Sequence, residues 1–232
     1  MKFIHTGDWH IGKIVNDFSM LEDQKNVLEQ LFSVIEREKP DALVLAGDIF
    51  DRSIPSVEAV ELVDDIFYKL TVEMKVPVLV IAGNHDSAER LSFASRILTN
   101  NGLHISGTFD GNVSCITIED SFGPVNFYLL PYTDPRNIRH IYQDSQISSH
   151  DDAMKRILDR LGQAFNSSER NVMVTHGYIT HMGKPAELVS ESERPLSIGG
   201  TDFVSSEYFK IFNYTALGHL HAPQRAGFEN VR

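Results

Sequence analysis

In the stretch YTALGHLHAPQ, residues 214–224, two histidines one residue apart follow a glycine and a short apolar run. The same arrangement, a strand-like run ending in metal-type side chains, recurs along the chain. KFIHT leads into Asp8 and His10, DALVLAG into Asp48, PVLVIAG into Asn84 and His85, NVMVT into His176, and YTALG into His219 and His221. Imidazole, carboxylate and carboxamide, with no thiolate among them, suit a borderline-to-hard divalent ion such as Mn2+ better than a structural zinc. So many donors are enough for two ions. Asp48 is the natural bridge, because a carboxylate can bind one ion through each oxygen and hold the pair about 3.5 to 4 Å apart. Such a pair activates water and neutralises charge on a transferring phosphoryl group, so the chemistry expected is phosphoester hydrolysis.

These donors can meet only if the runs that carry them are strands whose carboxyl ends converge, which is where open α/β sheets bind their ligands. The intervening segments agree. Leu21, Val27, Leu28, Leu31 and Ile35 recur at helical spacing until Pro40, and Val60, Val63, Phe67 and Leu70 repeat the pattern after Pro55, a residue suited to a first helical turn. Both predict amphipathic helices packed on a sheet. A third helix is expected from Ser87 through Leu91, Ala94 and Leu98 to Gly102. Further on, NVSCITIE and VNFYLLPY read as a meander, HDDAMKRILDRLGQAF as a helix, and NVMVTHG and YTALGH as strands. The sum is two packed sheets with helices outside. Thr133–Ser149 and Tyr178–Asp202 are the longest irregular connections, of the kind that shape binding surfaces.

A chain of 232 residues with 42% apolar content can bury a full core, and a single domain over 1–232 is expected. No apolar run is long enough to span a bilayer, and MKFIHTGDWH lacks the apolar core and cleavage site of a signal peptide, so the expectation is a cytoplasmic protein with no membrane association. The one cysteine, Cys115, excludes an internal disulfide framework and is expected to be a buried strand residue. With 32 acidic against 21 basic residues the net charge is −11. That argues against gripping nucleic acid through the overall field, and leaves room for a local site filled by cations.

The motifs DWH, GDIFD, GNHD, THG and GHLH stand in the order typical of the calcineurin-like metallophosphoesterases, and the chain resembles that superfamily from residue 8 to residue 221. The resemblance implies an α/β fold in four layers, an α/β/β/α sandwich of two packed mixed sheets flanked by helices. It implies that Asp8, His10, Asp48 and His221 hold one ion, and Asp48, Asn84, His176 and His219 the other. His85 would protonate the leaving oxygen or stabilise charge on it, and Asp51 would orient His85. Arg52 lies where related phosphatases keep a phosphate-contacting arginine, and is open between that role and a surface salt bridge. His5, His104, His140, His150 and His181 match nothing in the pattern, with His181 nearest to an exception because it follows the His176 loop.

Superfamily membership leaves the substrate open among phosphoproteins, cyclic nucleotides, nucleotides and nucleic acids. The finer stretches IHTGDWHIGK, GDIFDRSIPS, PYTDP, IGGTDFVSSEYF and YTALGHLHAPQ resemble the bacterial branch of DNA-end-processing nucleases that act with an ATPase partner. That likeness implies two Mn2+ ions (Mg2+ or other divalent ions being alternatives), 3′-5′ exonuclease action on duplex ends, and endonuclease action on single strands and hairpins. It also implies a homodimer through the helices at Val57–Leu70 and Leu91–Leu98, with Ile66, Phe93 and Ile97 exposed, and a capping segment and partner-docking helices beyond residue 232. The competing readings are another metallophosphoesterase, acting on cyclic nucleotides or phosphoproteins, and a non-catalytic scaffold for an ATPase.

Overall fold

A computed structural model describes residues 1–162, 165–181 and 203–232. Most of the Tyr178–Asp202 connection, with the start of the stretch that begins at Ile198, lies outside the described residues. The chain divides into two compact units, Met1–Thr108 and Phe109–Arg232. It is mixed α/β, with several sheets flanked by helices.

The first unit runs through β1 (Phe3–Thr6), a hairpin of β2 (Ile14–Val15) and β3 (Phe18–Ser19), α1 (Leu21–Glu38), β4 (Ala42–Ala46), α2 (Val57–Tyr68), β5 (Val78–Ile81), the short helices α3 (Ala88–Leu91) and α4 (Ser95–Leu98), and β6 (Leu103–Ser106). β1, β4, β5 and β6 pair side by side in that order, all in parallel. The carboxyl ends of β1, β4 and β5 therefore open next to one another. Every residue of β4 and β5 is buried, which is why both read as unbroken apolar runs. Leu43, Leu45, Val78 and Val80 share a core with Leu28, Phe32 and Ile35 of α1 and Val63 and Phe67 of α2.

The helices follow their signals with local differences. Ser56 caps α2 by accepting from the Ala59 N–H, so Pro55 stands just outside the helix rather than in its first turn. Lys39, left-handed at φ 47°, ends α1 by donating to the Ile35 carbonyl at 2.8 Å, one residue before Pro40. Val27 and Val60 face solvent although their spacing suggested the core. Ile66 is the reverse case: it is 2% exposed within the core, while Phe93 and Ile97 do stand exposed. The single helix expected from Ser87 to Gly102 is broken at Ala94, left-handed at φ 58°. Just before the break the Ser92 hydroxyl donates to the Ala88 carbonyl at 2.8 Å, a side-chain bond that competes with the helical ladder.

The second unit holds β7 (Ser114–Asp120), β8 (Gly123–Leu130), α5 (Pro135–Tyr142), α6 (His150–Leu161), β9 (Arg170–His176), β10 (Ile179–Thr180), β11 (Val204–Ser205) and β12 (Tyr214–Gly218). Its main sheet has the order β12-β9-β8-β7, with β7 antiparallel to β8 as the meander requires and the other pairs parallel. Leu130, Ile138, Met154, Ile157, Met173 and Phe209 make its core. α6 opens on a capping box between Ser149 and Asp152. α5 fills a connection expected to be irregular, with Asp134 as its cap and Pro135 in its first turn. Cys115 is exposed, contrary to expectation. It lies on the face of β7 shared with Thr117 and Glu119, while the alternate residues Ile116 and Ile118 are the partly buried ones. Among the described residues no helix is long and apolar enough to cross a membrane.

Candidate metal centre

In the first unit the loops after β1 and β4 continue to pair beyond the strands. The Asp8 N–H donates to the Gly47 carbonyl at 3.0 Å, His10 to Asp48 at 2.9 Å and Ile11 to Ile49 at 2.9 Å, and the Asp51 N–H returns to the Ile11 carbonyl at 3.1 Å. This backbone zipper sets Asp8 and His10 beside Asp48 before any side chain is considered. The conformation is costly. Of the ten non-glycine residues with positive φ among the described residues, four are expected ligands: Asp8 (55°), His10 (46°), Asp48 (50°) and His219 (102°). Strain of this kind persists where the surroundings over-determine it, as they do at functional loops.

The loop after β5 is tied to the same place by Asp86. Its Oδ2 accepts from Ile49 N–H at 3.1 Å and Gly83 N–H at 2.9 Å, and its Oδ1 from Phe50 N–H at 2.9 Å. Burial pushes the Asp86 carboxyl up, the three amides pull it back, and the neighbouring Asp48 charge adds to the push. On the other side, Gln24 of α1 donates from Nε2 to the carbonyls of Trp9 at 3.1 Å and His10 at 2.7 Å, and accepts from Gly12 N–H at 3.0 Å. Both residues were missed as site residues by sequence reasoning. Asp86 stood inside the GNHD motif as a signal; nothing local marked Gln24.

Asp48 is 2% exposed and His10 4%. Oδ1 of Asp48 accepts the His85 N–H at 2.8 Å and Oδ2 stands 3.6 Å from His10 Nε2. A carboxylate has about four acceptor positions, enough for an amide contact beside a bound ion. His85 itself is exposed, its ring 4.7 Å from that of His10 and edge-on. Its Nδ1 lies 3.0 Å from the Asp51 carbonyl. A carbonyl only accepts, so the hydrogen sits on Nδ1 and Nε2 is the nitrogen that takes up and releases a proton. Asp51 thus meets His85 through its backbone. Its carboxylate faces His10 Nδ1 at 3.7 Å, Lys13 at 4.0 Å and Arg52 at 3.7 Å. His10, Asp51 and His85 each offer a ligand atom within 4.8 Å of the others. Two imidazoles and a carboxylate are donors that fit a divalent transition ion.

The close packing at Asp48 leaves no room for a side chain at Gly83. A Cβ built there meets the Asp48 carboxylate and backbone nitrogen. Gly83→Ala is expected to destabilise the protein by about 1–3 kcal/mol, the usual cost of overpacking. An unchanged midpoint in chemical denaturation would show that the loop has room to yield.

In the second unit β9 and β12 are parallel neighbours, with His176 in register with Gly218. His219 follows one residue later, and the two imidazoles meet edge-on at 5.4 Å. His176 is buried, His219 half-buried and His221 exposed. Tyr178 lies 6.2 Å from His219, and Tyr132 presents its ring to His176 at 6.4 Å while its hydroxyl reaches His150 Nε2 at 3.2 Å. Among the described residues, His150 is thus linked through Tyr132 to the expected ligand His176. His181 packs edge-on against Phe228 and stands 3.6 Å from Glu207.

A family model described as calcineurin-like phosphoesterase matches residues 1–223. The chain is similar to SbcD, a component of the nuclease SbcCD, from Staphylococcus epidermidis (strain ATCC 12228 / FDA PCI 1200), with 37% identity over 223 residues, which cover 96% of this chain and 57% of that protein. The chain thus spans little more than half the length of this curated relative.

Proposed function

Because the chain belongs to the calcineurin-like phosphoesterase family, we propose that it is a metal-dependent phosphodiesterase that cleaves DNA at a two-ion site. The hydrolytic reading is supported above all by Asp48, a buried carboxylate set against His10 and under the His85 amide. In this reading Asp8, His10, Asp48 and His221 hold one ion and Asp48, Asn84, His176 and His219 the other. The two units then act as one catalytic domain over 1–232. When bound, the ions supply Lewis-acid polarisation of the phosphoester and activation of a water nucleophile. The remaining work falls to side chains. His85, its Nδ1–H held by the Asp51 carbonyl, delivers a proton from Nε2 to the leaving oxygen. Arg52, with 66% of its side chain exposed and only loosely paired with Asp51, can turn its guanidinium to an incoming phosphate.

The choice of DNA follows the likeness to a protein named as a component of the nuclease SbcCD. On that likeness the protein works in the cytoplasm with an SbcC-like ATPase, in DNA repair, recombination and replication. Mn2+ is the favoured ion, with 3′-5′ exonuclease action on duplex ends and endonuclease action on single strands and hairpins. Exposed Val57, Val60, Phe93 and Ile97 on α2 and around α4 support a homodimer through that face. Light scattering that returns the monomer mass at high concentration would rule the dimer out.

The deciding experiment compares a DNA hairpin, a cyclic nucleotide and a phosphopeptide, each with Mn2+, Mg2+ and Zn2+. Fastest cleavage is expected for the hairpin with Mn2+. A preference for the cyclic nucleotide would reassign the protein to another phosphodiesterase class, and failure on all three would leave the non-catalytic scaffold.

A further inference from the structure

Gln24 lies in the first turn of α1, outside every motif that points to metal chemistry, yet its carboxamide is spent on the loop that carries Asp8 and His10. Both Nε2 hydrogens are used on carbonyls, those of Trp9 and His10, and Oε1 takes the Gly12 N–H. The Gln24 backbone N–H is in turn anchored to the Met20 carbonyl at 2.8 Å. The loop needs such support. Asp8, His10 and Gly12 all have positive φ, three residues in a run of five, and for the first two that conformation lies above the right-handed one in energy. It holds only if neighbours fix it from more than one side. The β4 loop fixes it through the Gly47 and Asp48 carbonyls, which are bonded to the Asp8 and His10 amides. Gln24 bonds the complementary groups, the carbonyls of residues 9 and 10 and the Gly12 amide.

We infer that Gln24 is a positioning residue, which pre-organises Asp8 and His10 and so raises affinity for the ion they hold. The inference rests on the ligand assignment proposed above. It sets Gln24 apart from a core residue because its effect falls on one ion and not on both. The chain carries a single tryptophan, Trp9, between the two donors, with its Nε1 donating to Thr6 Oγ1 at 3.0 Å. Its fluorescence therefore reports directly on this loop.

The test is Mn2+ titration of the 232-residue chain by calorimetry and by Trp9 fluorescence, for wild type, Gln24→Met and Gln24→Glu. Methionine keeps the length and removes all three bonds. Glutamate keeps the acceptor for Gly12 and turns a carboxylate oxygen toward two carbonyls. In both variants one site is expected to weaken about 10- to 100-fold, the range for a group that orients a ligand, and the Trp9 response should move to higher Mn2+. The second site should stay near wild type, even if losing these bonds lowers the thermal midpoint in EDTA. Two unchanged sites in Gln24→Met would overturn the inference. So would parallel weakening of both sites, the mark of a merely structural role. Fewer than two ions bound by wild type would instead remove the ligand assignment, and the inference with it.

Discussion

Asp48→Asn is expected to lower phosphodiester hydrolysis roughly 10³-fold or more, in line with the several kcal/mol that metal polarisation contributes. It should also weaken both ion sites together. The substitution is close to isosteric. An asparagine Oδ1 can still accept the His85 N–H, and the amide nitrogen replaces the Oδ2 that now faces His10 Nε2. The His85 contact therefore survives while the charge and the second donor oxygen are lost. In EDTA the variant should melt near the wild-type temperature, because the hydrogen bond to His85 is kept and the charge pressing on Asp86 is removed. His10→Gln should weaken mainly one site. Calorimetry that finds two undisturbed sites in Asp48→Asn would refute the bridging role.

His85→Ala should leave both ions bound and slow DNA cleavage by roughly 10²- to 10⁴-fold, the scale of a lost general acid. The reason lies in its tautomer. With Nδ1–H committed to the Asp51 carbonyl at 3.0 Å, only Nε2 is left to move a proton. A nitrophenyl phosphodiester, whose leaving group needs little protonation, should be spared most of the loss. If the variant instead loses an ion, His85 is a ligand, as its membership of the group with His10 and Asp51 allows.

Much of this was legible in the chain because two periodicities and one chemical pattern coincide. β4 and β5 read as strands since both faces are buried, and the candidate donors at or just past the ends of β1, β4, β5, β9 and β12 stood out because each follows an apolar run. What escaped was long-range. Gln24 and Asp86 act on backbone groups 14 and 36 residues away, among others, and a side chain bonded to another loop's amides leaves no local signature. α5 was legible, since Asp134–Pro135 is a helix start, but the length of the connection concealed it. Cys115 was misjudged by one step of strand register, and Val27 and Ile66 by one step around a helix.

The left-handed backbone at Asp8, His10, Asp48 and His219 has an evolutionary consequence. At such positions glycine relieves strain on the order of 1 kcal/mol, a sizeable share of a stability of about 5–15 kcal/mol. Drift toward glycine at these four places would relieve backbone strain and remove an ion-binding side chain in one step, although at Asp48 it would also strip the acceptor from the His85 N–H. Backbone strain thus pulls against these side chains, and selection for the chemistry proposed for them pulls the other way. A lineage relieved of hydrolytic duty would be expected to shed them. In this sequence all four positions carry a carboxylate or imidazole able to bind an ion, and none is glycine.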